Sequence, residues 1–208
     1  MAERVPGGDT RSLILEAGRR QLLAGGYAGL STRKVADEAG VPVSQLNYHF
    51  GSKQGLILTL LEEENRRRLT RQTAMYAEDA PLWKRYEQAC DFLEDDLESG
   101  YVRVLQEMIA AGWSDREIGE QVRGLLRGWI SLVTEVAREA EHRHELGPFT
   151  AEEVGTLIST IFMGSEAFLL LGFDRQELPI RASLRRIGAL IRELDEGRGG
   201  HAGLPAGG

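Results

Sequence analysis

Apolar residues recur at three- and four-residue spacing along almost the whole chain, and nowhere do they alternate with polar ones as a half-buried strand requires. That periodicity confines the sequence to an all-α fold, in which each amphipathic stretch must bury its stripe against another helix. Start and stop signals divide the pattern into about nine helices. Asp9 or Thr10 caps the first, with Leu13, Ile14, Ala17 and Leu22 on its apolar side, and Gly25-Gly26 closes it. Ser31 or Thr32 opens a short second helix that ends at Gly40, and Val43 or Ser44 opens a third, closed by Phe50-Gly51. Ser52 caps a long fourth helix running towards Met75. Pro81 suits the start of a fifth, extending to about Glu98, and Gly100 and Gly112 bracket a sixth. Ser114 or Asp115 opens a long seventh, stopped by Gly147-Pro148. Thr150 and Glu153 have capping-box spacing for an eighth, and the ninth spans about Pro179 to Leu194. The Gly-, Ala- and Pro-rich tail, 198–208, is expected to be disordered.

Several classes of chemistry find no support. The one cysteine, Cys90, excludes an intramolecular disulfide framework and fits a reducing, cytoplasmic setting. Residues 1–10 lack the apolar core of a signal peptide. The most apolar stretch, 157–173, is interrupted by Glu166 and is too short for a membrane span, so no membrane partner is expected. No nucleophile–base constellation, metal motif or phosphate loop points to an enzyme, and no cofactor is implied. His142, Arg143 and His144 lie too close in sequence to share a helix face, which makes a surface cluster the expectation rather than a metal site. The net charge of −7 is unevenly spread. Residues 1–53 hold seven Lys/Arg against five Asp/Glu, while the remainder holds eighteen against twenty-seven. A weakly basic head on an acidic body fits a nucleic-acid-reading segment attached to something else.

Residues 31–53, STRKVADEAGVPVSQLNYHFGSK, carry the most chemistry. Two short helices meet across Gly40-Val41-Pro42, a turn of helix-turn-helix length. Val35, Val41, Leu46 and Phe50 form a candidate seam, and the small Ala36 and Ala39 allow the helices to cross closely. The other face of the third helix presents Ser44, Gln45, Asn47, Tyr48 and His49, which are donors and acceptors suited to base edges and phosphates. By periodicity alone, an ordinary helical hairpin with a polar outer face fits equally well.

The stretch from Leu13 to Leu61 resembles the N-terminal domain of TetR-family regulators. The resemblance is carried by Gly25-Gly26-Tyr27, by Leu30-Ser31-Thr32 and by Val35-Ala36-Asp37-Glu38-Ala39-Gly40-Val41. It continues through Leu46-Asn47-Tyr48-His49-Phe50, Ser52-Lys53 and Leu56. Asn47 departs from the family's frequent tyrosine. The resemblance implies a homodimeric transcription factor, usually a repressor, that binds palindromic operator DNA and responds to a small molecule. Transferred by position, Thr32 and Arg33 touch phosphates or bases, while Val43, Ser44 and Gln45 face base edges. Asn47 bears on operator choice, and Tyr48, His49 and Lys53 clamp phosphates. The implied division is 1–53 for DNA binding and 54–197 for effector binding and dimerisation.

The body offers less specific candidates. Phe92, Met108, Trp113, Trp129, Phe162, Met163 and Glu166 are candidate effector contacts, pointing to an apolar or amphipathic effector. A carboxylate at Glu166 requires a partner, which is a cationic effector, an arginine of a second subunit, or water. Leu157, Ile161, Phe168, Leu171, Leu184, Ile187 and Ile191 are candidate dimer contacts, with Gly164 permitting close approach. Arg66, Arg67, Arg68 and Arg71 read as a solvated face paired with Glu62, Glu63 and Glu64. A DNA-binding structural protein without an effector is the alternative of a different class; ligand-independent DNA binding would distinguish it.

Overall fold

Local capping sets several of the helix ends in the computed structural model, which describes residues 7–143 and 146–199. Among the described residues there are nine helices and no strand: α1 Gly7–Gly29, α2 Thr32–Ala39, α3 Val43–Phe50, α4 Lys53–Tyr76, α5 Leu82–Glu98, α6 Tyr101–Gly112, α7 Arg116–His142, α8 Ala151–Leu170 and α9 Ile180–Gly199. The Ser52 hydroxyl accepts from the Gly55 amide and opens α4. Asp115 accepts from the Glu117 and Ile118 amides and opens α7. Thr150 and Glu153 close a reciprocal capping box at the start of α8.

Four ends differ from the sequence reading, the earliest being the start of α1 at Gly7, ahead of the expected Asp9 or Thr10 cap. The first helix breaks at Gly26 but resumes for a turn to Gly29. Helix α7 stops at His142, short of Gly147-Pro148; the Arg143 amide is shared between the Glu139 and Ala140 carbonyls, as at a terminating helix. Helix α9 runs through Gly197 to Gly199, so residues 198 and 199 are helical rather than part of a disordered tail. One glycine near a helix end costs only about 1 kcal/mol against alanine and does not by itself stop a helix. Residues 200–208, and His144 of the proposed surface cluster, lie outside the described residues.

The helices form two compact units whose boundary does not follow the 53/54 division. The first takes in the described residues up to Arg68 together with Asp96–Leu125; the second takes in Leu69–Asp95 and the described residues from Leu126 onward. In the first unit, α1 and α4 pack so tightly that a Cβ added at Gly18 would lie 3.0 Å from the Leu60 side chain. Ile14, Leu22, Leu30, Val35, Leu46, Leu56, Ile57, Leu60 and Met108 are fully buried around that contact.

A buried carboxylate cross-ties the same unit. Glu64 of α4 is 3% exposed and accepts from Arg19 of α1 at 2.5 Å and from Arg68 at 2.6 Å. Arg68 also pairs with Asp96 at 2.9 Å, donates to the Ser99 hydroxyl and lies 3.9 Å over the Tyr101 ring. The Arg66–Arg71 run is therefore not simply a solvated face, because tertiary packing covers Glu64 and draws Arg68 inward.

In the second unit, a Cβ at Gly155 of α8 would meet Thr134 of α7 at 2.3 Å, so these two helices touch backbone to side chain. Phe162 of α8 packs edge-on to Tyr86 of α5 and Trp129 of α7, with centroids 6.1 and 6.2 Å apart. Arg181 and Arg185 of α9 pair with Glu94 and Asp91 of α5. Cys90 is buried, and burial pushes its thiol up to about 11, so it is held as the unreactive thiol. Helix α8 is long and apolar enough to cross a membrane by length and composition alone.

Burial pushes the Glu64 carboxyl up, but hydrogen bonds and charge from Arg19 and Arg68 more than offset this and hold it below the ordinary value of 4.5. A depressed carboxyl stabilises the fold above its unfolded-state value, and that contribution is lost as pH falls through the folded one. Glu64→Ala is expected to cost about 3 kcal/mol, at the low end for breaking a buried pair because Arg19 keeps access to water. Glu64→Gln is expected to flatten the acid limb of stability below pH 4.5. Urea denaturation as a function of pH checks both.

Candidate nucleic-acid interface

Helices α2 and α3 are joined by three residues, and the first, Gly40, adopts the left-handed conformation at φ 67° and ψ 30°. Its amide bonds back to the Asp37 carbonyl and the Val41 amide to that of Ala36, a C-cap that L-residues with a Cβ form only under strain. Ser31 caps the start of α2 by accepting from the Lys34 amide. Val35, Ala36 and Leu46 are completely buried and form the seam between the two helices. With Leu46 turned inward, the α3 residues Val43, Ser44, Gln45, Asn47 and Tyr48 are left exposed, and Tyr48 is 81% accessible.

The other residues expected on this face differ in their freedom. Arg33 is exposed in the first turn of α2, beside a half-buried Thr32. Lys34 is exposed too and was not singled out from sequence, although its place beside Arg33 was the available signal. His49 is half-buried between the Tyr48 and Phe50 rings, at centroid distances of 5.1 and 6.1 Å. Its ring therefore contributes packing as well as surface. Lys53 begins α4 with its ammonium 4.8 Å from the centre of the Tyr27 ring, a cation–π contact that fixes a side chain otherwise free to swing. Arg11 lies over Phe50 at 5.6 Å.

The two short helices are also latched to α1. Glu38 of α2 accepts from Arg20 at 2.7 Å and from Gln21 at 3.0 Å. The Gln21 and then the Arg20 hydrogen bonds hold its carboxyl below the usual range. Residues 43–50 contain no carboxylate, so the outward face of α3 carries hydrogen-bonding groups without repelling an anion.

Residues 14–60 match the sequence model of the bacterial regulatory proteins, tetR family. Over those residues the chain is similar to the TetR family. No curated protein matches it. Solved structures share its fold at low identity. A TetR-family transcriptional regulator from Pectobacterium atrosepticum has a TM-score of 0.69 at 20% identity, covering 93% of this chain and 97% of its own. The regulator FadR from Bacillus subtilis, solved with stearoyl-CoA, has a TM-score of 0.70 at 14% identity, covering 87% and 97%. A protein from Saccharomonospora viridis, solved with choline, has a TM-score of 0.72 at 20% identity, covering 86% and 95%. Helices α2 and α3 both lie within the matched residues.

The effector candidates are divided between the two units. Met108, fully buried, and Trp113, 82% exposed at the end of α6, belong to the first unit. Phe92, Trp129, Phe162, Met163 and Glu166 belong to the second. There Phe162 and Trp129 share a cluster with Tyr86, which was not singled out from sequence. Glu166 is buried at 8% exposure, and Phe92 packs under the Arg71 guanidinium at 3.9 Å. A cavity of about 320 Å³ near the α8–α9 turn is lined by Leu169, Phe173, Leu178, Ile180 and Arg185 among others, and by none of the seven candidates.

Among the dimer candidates, Leu157, Ile161 and Phe168 form an exposed stripe on α8, continued by Leu171 at its C-cap and interrupted at its middle by Gly164, where a Cβ would meet nothing. Leu184 is 3% exposed, closed inside the unit and unavailable to a second chain, whereas Leu190, not among the candidates, is 55% exposed. Ile187 and Ile191 are half-buried.

The joint between α3 and α4 depends on Gly55, where a Cβ would lie 2.2 Å from the Phe50 carbonyl oxygen. Gly55→Ala is expected to cost about 2 kcal/mol through this overpacking. It should also weaken DNA binding more than the stability loss explains, because α3 tilts. Thermal denaturation and DNA titration of the same sample measure the two effects.

Proposed function

We propose that the chain is a ligand-responsive repressor that binds a palindromic operator as a homodimer and is released by a small apolar or amphipathic effector. The exposed, carboxylate-free polar face of α3, set on a helix-turn-helix of the TetR family, carries this reading. In it, Val43, Ser44 and Gln45 meet base edges and Asn47 tunes operator choice. Thr32, Arg33, Tyr48, His49 and Lys53 hold phosphates. Two recognition helices enter successive major grooves only when about 34–36 Å apart, a spacing that a twofold dimer supplies.

The exposed apolar stripe of α8 supports a second copy of the chain as its cover, since Leu157, Ile161, Phe168 and Leu171 follow helical spacing and surround an open Gly164. The aromatic cluster of Tyr86, Trp129 and Phe162 supports an effector site in the second unit, with the buried Glu166 nearby in sequence. The stearoyl-CoA and choline complexes of proteins with this fold support a small-molecule effector in general. Such an effector releases DNA only by binding one arrangement of the dimer more tightly than the other.

Selection from a randomised duplex pool supplies the operator for the decisive test. Gln45→Ala and Arg33→Ala are expected to lose about 1–3 kcal/mol of specific affinity. Lys53→Ala is expected to weaken specific and non-specific binding alike and to reduce the salt slope by about 0.9. Unchanged affinity in all three variants removes the assignment. Sedimentation velocity tests the assembly separately: the wild type is expected to be a dimer, and Phe168→Asp a monomer or an aggregate.

A further inference from the structure

The break in α1 divides one particular hydrogen bond, and α6 takes both halves of it. Gly26 sits at φ 68° and ψ −169°, a region essentially restricted to glycine. In an unbroken helix the Tyr27 amide would donate to the Leu23 carbonyl, four residues earlier. Here the Tyr27 amide donates instead to Glu107 Oε2 at 2.6 Å. The Leu23 carbonyl accepts from Arg103 Nη2 at 2.8 Å. Arg103 and Glu107 are one turn apart on α6, so donor and acceptor are presented with the spacing of the bond they replace.

Two glycines make room for this exchange. A Cβ at Gly100, the N-cap of α6, would lie 2.2 Å from the Leu23 oxygen, and one at Gly26 would lie 2.8 Å from the Glu107 carboxylate. The result is a backbone corner whose direction is set from α6. The first side chain beyond the corner is Tyr27, and its ring lies under the Lys53 ammonium.

We propose that Arg103 and Glu107 are positioning residues for DNA binding: by holding the Tyr27 backbone they place its ring so that Lys53 is fixed towards a phosphate. This rests on the reading of Lys53 as a phosphate contact. It adds a route by which α6, an element with no residue on the DNA face, sets the strength of that contact. The carboxylate of Glu107 matters as an acceptor for the Tyr27 amide, a role a glutamine oxygen also fills. The Tyr27 ring matters for its face, which phenylalanine keeps.

The test uses the full chain and a mixed-sequence DNA duplex, titrated across salt concentrations by fluorescence anisotropy. Glu107→Ala and Tyr27→Leu are expected to reduce the slope of log affinity against log salt by about 0.9, as Lys53→Ala does. Combining either with Lys53→Ala is expected to change the slope no further. Glu107→Gln and Tyr27→Phe are expected to keep the wild-type slope. A second readout needs no DNA: the Tyr27 ring current shifts the Lys53 Cε protons upfield in NMR spectra, and this shift is expected to vanish in Glu107→Ala and persist in Glu107→Gln. Folded Glu107→Ala protein with a wild-type slope and an intact Lys53 shift overturns the proposal, even if its melting temperature falls. If the wild type binds no duplex, the reading of the DNA face fails. The Lys53 shift then still reports whether Glu107 sets Tyr27 over Lys53.

Discussion

The carboxylate of Glu64 is buried in the middle of α4, and a buried carboxylate is tolerable only when its charge and lone pairs are met. Arg19 meets it from α1 and Arg68 from a turn further along α4. Arg68 in turn reaches Asp96 at the end of α5 and the ring of Tyr101 at the start of α6. One charge thus fixes the register of four helices in the first unit. Apolar packing along α1 and α4, as at Gly18 against Leu56 and Leu60, is nearly indifferent to small slips along the helix axis; the guanidinium–carboxylate geometry is not. The helix-turn-helix inherits its placement from this arrangement, since α2 is latched to α1 through Glu38 and α3 is pressed against α4 at Gly55.

The exposed face of α3 follows from the burial of its opposite side. Leu46 is enclosed, so its neighbours at 44, 45, 47 and 48 must point away from the core, and all are polar or carry a hydroxyl. Recognition chemistry of this kind costs the fold little, because the groups stay hydrated until DNA replaces the water. The α8 stripe is different. Three large apolar side chains on one helix, and a fourth at its C-cap, face water in the isolated chain, an arrangement that favours association.

Helix ends and the seam of the helix-turn-helix were readable from sequence because both are local. A cap is decided by a side chain and an amide within three residues, as at Ser31, Ser52 and Thr150. The left-handed turn at Gly40 and the inward Leu46 follow from residue type and helical period alone. The same locality explains the errors. The ninth helix was expected to end near Leu194, but the glycine that follows is only weakly unfavourable and the helix runs on to Gly199. Leu184 was assigned to an intermolecular surface because periodicity shows that a side is apolar without showing what lies against it. The effector list is likewise divided, with Met108 and Trp113 in one unit and the other five residues in the other.

The sequence by itself determined an all-α chain, the positions of nearly all its helices and the family that residues 14–60 resemble. Tertiary structure alone decided which charges are buried and which backbone groups are rescued from a distance. Arg19 and Glu64 are 45 residues apart, and Tyr27 and Glu107 are 80 apart. No spacing rule links such pairs. A helical period constrains neighbours three and four residues away, whereas a long-range partner is fixed only when packing brings two helices together and leaves a charge or a broken hydrogen bond that must be satisfied.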